Sequence, residues 1–253
     1  MTYLRAAMLP LLFAVGVIAL WWLVAWFRLV SPVFLPSPER TFDELAVRFA
    51  DGSIWLPLSA TLERMIVGWL LASLAGVALG AAIGLSPLAR DFLSPTLEFL
   101  RPLPASAMIP VAILFFGLSE GMAIFVIAFG SVWPVLMSSI FGFGHVRIRL
   151  REVAILLGMT KTRFLIKIAT PSALPDILAG MRSGLAISLI LAVVTEMQAS
   201  LPGLGRDIFL AQRSFRSTEL YAGIVMLGLI GVLINQGLHR AETWLLRWRP
   251  QRQ

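Results

Sequence analysis

The stretch "REVAILLGMTKTRFLIKIATPSALPDILAGMR", residues 151–182, decides how this chain is read. It is among the most basic parts of a very apolar sequence. It holds no uninterrupted apolar run of the roughly 20 residues that a bilayer crossing needs. Apolar residues nevertheless recur through it at helical spacing. Residues 147–157, "RIRLREVAILL", set Ile148, Val153, Ala154, Leu156 and Leu157 along one flank, with arginines opposite. Gly158 suits the left-handed position that closes a helix. Thr160 is placed to cap a second helix, "KTRFLIKIA", with Phe164, Leu165 and Ile168 on one face. Pro171 is expected to stop it and Pro175 to repeat the stop. The predicted object is a small helix–turn–helix.

The rest of the chain gives that object its setting. Of 253 residues 58% are hydrophobic and only 14% charged, where a soluble domain carries about 25%. The bilayer is the expected solvent, and an all-α integral membrane protein is the expected class. Six apolar spans stand out, near Ala7–Phe27, Leu62–Leu85, Leu103–Leu118, Met122–Phe143, Leu185–Ala199 (extended at its start by Ile177–Arg182) and Leu220–Leu238. The third is short and carries Pro102, Pro104 and Pro110, so a kinked or partial crossing is expected. The first is too long for a signal-peptide core; Trp21, Trp22 and Trp26 near its end form an interfacial belt, and "SPVFLPSPER" follows.

With both termini placed in the cytoplasm, the inner segments hold fourteen of the 21 Lys and Arg and the outer segments seven. That bias puts the segment 144–182 inside and the linker 28–61 outside, in one transmembrane domain spanning 1–253. Within the linker, "TFDELAVRFADG" reads as a short surface helix, with Thr41 as N-cap, Glu44 three residues on and Gly52 as its stop. The glycines of the second span, Gly68, Gly76, Gly80 and Gly84, predict close helix packing.

Several functions are excluded by what the sequence lacks. There is no cysteine, and His145 and His239 are the only histidines, so neither a metal centre nor a histidine-dependent hydrolase is expected. The net charge of +7 is spread between spans with no interleaved aromatic face, which argues against nucleic acid. No Gly-x4-Gly-Lys-Ser/Thr stretch is present to bind ATP. Two physical readings of the opening segment remain: a hairpin anchored in lipid headgroups, or a knob that docks in the groove of a soluble partner. Charges near spans add two candidates, Glu196 at the outer end of the fifth span and Arg101, after Glu98, before the third. Glu196 reads either as a pathway residue or as an interfacial carboxylate paired with an outer-loop arginine such as Arg206. The outer Arg206, Arg213 and Arg216 would favour an anionic solute or an acidic docking surface.

The order Glu152-x-Ala154-x3-Gly158, then Ile168-x2-Pro171 and Pro175, resembles the EAA loop of the permease subunits of ABC importers. Nearly the whole chain is similar to their nitrate, sulfonate, taurine and bicarbonate branch. The segments "FLPSP" (34–38), "TLERMIVGW" (61–69), "RPLPASAMIP" (101–110), "FFGLSEG" (115–121), "GMR" (180–182), "TEM" (195–197) and "GLG" (203–205) fall in that branch's order. Val153 departs from it, standing where a small residue is usual.

The resemblance implies the type I importer permease fold, with no bond chemistry in this chain. Two copies would form a pathway for a small, anionic solute, or alternatively for a heterocyclic vitamin or its precursor. Two copies of a separate cytoplasmic subunit would bind the ATP and dock on the loop, and an outer binding protein would deliver cargo. Gly158 would permit the bend, Ala154 and Leu157 would fill the groove, and Glu152 would offer a carboxylate to a basic residue. Pro171 and Pro175 would stiffen the approach to the fifth span. An ion-coupled secondary carrier is the rival reading. It would call for inverted repeats, broken helices near the midplane and paired intramembrane charges. A membrane enzyme would need clustered Asp, His or Lys at one face, and no such cluster appears.

Overall fold

A computed structural model describes residues 2–247, with side chains from Leu12 onward. Of the fourteen inner cations, the Arg5 side chain and all of Arg249 and Arg252 fall outside that description. The described chain is helical throughout, joined by turns. A long helix α1 (Thr2–Trp26) leads into the linker, whose helix α2 (Pro38–Ala50) precedes α3 (Trp55–Leu85). Next come α4 (Pro87–Leu100), a 3-10 turn (Ala105–Met108), α5 (Ile109–Phe116) and α6 (Glu120–Gly144). The opening segment supplies α7 (Ile148–Leu156), α8 (Lys161–Phe164) and a π turn (Leu165–Ala169) that runs into α9 (Thr170–Ala199). Helices α10 (Leu204–Arg213) and α11 (Ser217–Leu245) complete the chain.

Four described helices are long and apolar enough to cross a membrane: α3, α6, the continuous run Lys161–Ala199 and α11. The pair α4 and α5 is long and apolar enough only when taken together, bent by 84° between its halves, as in a broken span or a re-entrant loop. The bend falls at the prolines of the expected third span, but the pair starts well before Leu103. Helix α4 escapes an apolar-run search because Arg90, Asp91 and Glu98 interrupt it and Pro95 lies inside it. Its start is nevertheless ordinary helix chemistry: the Ser86 hydroxyl accepts the Ala89 N–H at 3.3 Å and Pro87 takes the first turn.

The core is a three-helix slab of α3, α6 and α9. Helices α3 and α6 run parallel, and the glycine stripe sets their separation. An added Cβ on Gly68 would lie 2.8 Å from Ile127 Cβ, one on Gly76 2.9 Å from Val135 Cβ and one on Gly84 2.8 Å from Phe143 Cβ. Gly80 meets Ser139 in the same register. Small residues bring backbones close where lipid offers no hydrophobic drive for association. Helix α9 packs antiparallel on α6, with Gly180 against the Pro134 carbonyl and Gly184 against that of Ser131.

Two local expectations need correction. The linker helix begins at Pro38 after Ser37, three residues before the expected Thr41 cap, because Pro38 is preorganised for a first helical turn. Thr41 is buried instead and donates to the Ser37 carbonyl. Gly52 does end the turn region, at φ +80°. The Asp51 carboxyl beside it accepts the Ser53 N–H at 2.8 Å, which holds it below the usual carboxylate range.

The second correction concerns the prolines. Pro171 and Pro175 do not stop a helix; both lie inside one helical run of 39 residues, Lys161–Ala199. The π turn makes room. The Thr170 N–H reaches back to the Leu165 carbonyl, so Pro171 enters a first turn rather than an established ladder. The Ser172 hydroxyl donates to the Ile168 carbonyl at 2.7 Å. Phe143, Val146, Ala169, Ala173 and Ile177 cluster around this junction and fix it to the slab.

Candidate functional site

The bundle has a loop end, bearing residues 144–170, and a linker end, where α2 and α10 lie. Each carries a built site.

At the linker end, α3 contributes Thr61 and Arg64, α6 its first residue Glu120, and α9 the carboxylate Glu196. Glu196 is fully buried and Arg64 nearly so. Arg64 Nη1 donates to Glu196 Oε1 at 2.8 Å. Its Nη2 donates to Glu120 Oε1 at 2.7 Å, and Nε donates to the other Glu120 oxygen. This two-pronged geometry is the strong form of an arginine–carboxylate pair. Nη1 also reaches the Pro202 carbonyl. Glu196 Oε2 accepts from the Thr61 hydroxyl at 3.0 Å and from the Gly205 N–H at 2.8 Å. Thr61 Oγ1 in turn accepts the Leu204 N–H at 3.0 Å.

The first amides of α10 thus point at a buried threonine–carboxylate pair, where the helix N-terminus favours negative charge. The connection bends into place at Ser200, in the left-handed region at φ +53°. Gly203 lies against the Glu196 carboxylate, where a Cβ would collide with all three carboxyl atoms. Gly205 lies equally close to the Val193 carbonyl.

The sequence singled out Glu196 but not its partner. Arg206 does not pair with it; Arg64 does, although Arg64 looked like one outer cation among seven. A signal was available. Arg64 in "TLERMIVGW" and the lone acids of "LSEG" and "TEM", Glu120 and Glu196, sit at matching ends of their spans, where a charge beside a span calls for a partner. The same pairing explains further segments. Trp69 Nε1, from the end of "TLERMIVGW", donates to the Met181 carbonyl of "GMR" at 2.9 Å. Arg182 pairs with Glu242 of α11. Trp21 Nε1 donates to the Pro36 carbonyl of "FLPSP".

At the loop end, the predicted turn is present. Gly158 takes φ +61°, its N–H meets the Ile155 carbonyl at 3.0 Å, and the Met159 N–H meets that of Ala154 at 2.9 Å. These two bonds define a Schellman ending. Thr160 Oγ1 accepts the Arg163 N–H at 3.3 Å, as a cap should. The apolar flank divides differently from expectation. Ala154 is buried against its own chain, and so is not on the outer face with Leu157. The exposed set is Ile148, Leu150, Val153, Ile155, Leu156 and Leu157, with Leu156 84% exposed. Glu152 is exposed and pairs with no described cation. Ile168 and Pro175 are half-buried and Pro171 is exposed.

Arg101 sits at neither end. It closes α4 at the elbow before α5, exposed, and shares no described hydrogen bond or ion pair with the Arg64 cluster. Among the described residues no group of His, Asp and Glu could hold a metal ion.

Residues 72–248 match the family model described as the binding-protein-dependent transport system inner membrane component. The chain belongs to that family of ABC importer permeases. It is 33% identical over 240 residues to the taurine transport system permease protein TauC of Escherichia coli K12, covering 92% of this chain and 87% of TauC. It is 33% identical over 242 residues to the putative aliphatic sulfonates transport permease protein SsuC of Bacillus subtilis, covering 94% and 87%. The bicarbonate transport system permease protein CmpB of Synechococcus elongatus is 29% identical over 254 residues, with 96% and 91% covered. Among solved structures, the inward-facing MetNI methionine ABC transporter superposes with a TM-score of 0.66 at 18% identity, over 79% of this chain and 96% of that one. An amino acid ABC transporter gives 0.59 at 18% identity, over 76% and 92%. The permease is thus a multi-pass inner-membrane transport subunit with the type I importer fold.

Proposed function

We propose that this permease forms, with a second identical copy, the membrane pathway of an importer for a small oxyanion of the sulfonate, taurine, nitrate or bicarbonate kind. The similarity to relatives named for those solutes supports the substrate class. A separate cytoplasmic subunit, in two copies, binds and hydrolyses the ATP, and an outer binding protein delivers the solute. The loop end faces the cytoplasm together with both termini, as the distribution of Lys and Arg favours. Arg101 lines the pathway, and Glu196 acts on it from behind, as the brace of its outer wall.

One observation carries the coupling role: a rigid, doubly hydrogen-bonded turn holds Leu156 and Leu157 out in the open at the loop end. An exposed apolar cluster of this kind marks a contact surface. Leu157 with Leu156 and Ile155 forms the face offered to the groove of the ATP-binding subunit. Gly158 sets its angle, Ala154 anchors it to the bundle, and Glu152 meets a cation of that subunit. Ile168, Pro171 and Pro175 fix the base.

A buried ion pair and a broken helix are also marks of ion-coupled carriers. Here the pair lies at one end of the bundle and is satisfied by its own chain, which leaves it no free site for a coupling ion.

Co-purification with the neighbouring ATP-binding subunit tests this reading, using wild type, Gly158→Val, Glu152→Lys and Leu156→Asp. Loss of the complex in variants that still fold in the membrane is the expected result. A complex that survives all three changes would move the docking surface elsewhere.

A further inference from the structure

The elbow between α4 and α5 is unlike any other connection in the bundle. Residues Arg101–Pro104 are non-helical and all exposed. They are nevertheless at depth. Ala105, the next residue, packs with Met65, Ile127, Leu191 and Ala192 in the middle of the slab. It touches the position where a Cβ on Gly130 would fall. Gly130 is about 15 Å along α6 from Glu120 and about 21 Å from Gly144 at the helical rise per residue. Non-helical backbone at such depth is stable only inside protein or beside water. The single copy leaves all four residues uncovered by protein. No side chain of α4 is buried. Pro102 and Pro104 carry no N–H donor, the Leu103 N–H meets the Leu100 carbonyl and the Pro104 carbonyl accepts the Ala107 N–H, which leaves the Arg101 guanidinium. Among the described ion pairs Arg101 has none, and Glu98, one turn earlier, does not reach it.

An exposed apolar face flanks the elbow, with Phe92, Phe99, Leu103 and Leu114 open. A two-fold axis would bring the same face of a second copy against it. With that axis beside the elbow, the two Arg101 side chains would face each other. Two guanidinium forks in water-poor surroundings repel unless an anion lies between them, and their planar geometry suits an oxyanion.

Resting on the importer reading above, we infer that the elbow is an anion site completed by a second copy, in which Arg101 of both copies holds the oxyanion group of the solute at mid-depth. The site rejects solutes that carry no anionic oxygen group, which separates the oxyanion branch from carriers of heterocyclic vitamins.

The chain has no cysteine, so Arg101→Cys introduces a sole thiol per copy. In the full complex, reconstituted in liposomes with its ATP-binding subunit and binding protein, copper phenanthroline is expected to join two copies through that thiol. Uptake of labelled taurine, an alkanesulfonate, nitrate and bicarbonate is the second readout. Whichever of these wild type carries, Arg101→Cys is expected to lose at least tenfold in uptake while keeping its stimulated ATPase. A thiol reagent bearing an ammonium group should restore uptake, and a sulfonate-bearing one should not.

A structural role for Arg101 would not respond to the sign of the added charge. Equal uptake after either reagent, or no cross-link in a folded complex, overturns the inference and leaves the importer reading intact. Wild type that carries none of the four anions overturns the oxyanion reading itself, and the anionic occupant of the elbow with it.

Discussion

The two ends of the bundle handle polar and apolar groups in opposite ways. At the linker end, Arg64, Glu196, Thr61 and the first amides of α10 are buried and satisfy one another. At the loop end, the polar backbone is satisfied by the Schellman turn, but large apolar side chains are left in the open. The difference separates stability from association. One chain completes the linker end; the loop end is complete only against something else. Substitutions should therefore cost folding at the first and binding at the second.

The largest effect should come from breaking the buried pair. Glu196→Ala leaves the Arg64 guanidinium half-unpaired inside the protein, a change that costs about 3–5 kcal/mol. Thermal unfolding in detergent should show it, and Arg64→Met in the same background should recover part of the loss. A melting temperature that Glu196→Ala leaves unchanged would mean the cluster is not a brace.

Next in size is the glycine stripe. Gly80→Val drives a branched side chain into Ser139 and is expected to cost about 1–3 kcal/mol. Gly228 on α11 meets nothing within 4 Å, so Gly228→Ala should stabilise by about 0.5–1 kcal/mol. The sign of the difference between these two variants is the test.

At the loop end the expected folding effects shrink. Thr160→Ala removes a cap worth about 1 kcal/mol, visible as faster hydrogen exchange over 161–164. The smallest effect belongs to the double variant Leu156→Ser, Leu157→Ser. Its stability should stay within about 0.5 kcal/mol of wild type, while the complex with the ATP-binding subunit is lost in pull-down. A large stability loss there would erase the contrast between the two ends.

Much of the loop end was legible because its signals are local. A glycine at a left-handed turn, a threonine two residues later and apolar spacing all act within one or two helical turns. The burial of Ala154 was not legible, since it depends on how α7 lies on the bundle. The linker end is the reverse case. Thr61, Arg64, Glu120, Glu196 and Gly205 come from four separate helices, and no periodicity links them. The segments that carry them were visible individually, yet their convergence is tertiary. The prolines misled for a further reason. Proline ends a helix by removing a donor and crowding the preceding turn; at Pro171 a π turn just before it shifts the ladder, while Pro175 is carried inside α9. Helix α4 was missed because its charges suit neither an apolar span nor a soluble surface. One of them, Arg90, is tied back to its own chain, where it donates to the Gly84 carbonyl at 3.0 Å.

That π turn has a mechanical consequence. By absorbing Pro171, it lets Lys161 and Ala199 belong to one rod of 39 residues, about 58 Å long. One tip of the rod is roofed by Thr160 and the Gly158 turn. The other carries Glu196, gripped by Arg64, Thr61 and the start of α10. The two ends of the bundle are thus joined through one continuous helix as well as through the packing of the slab.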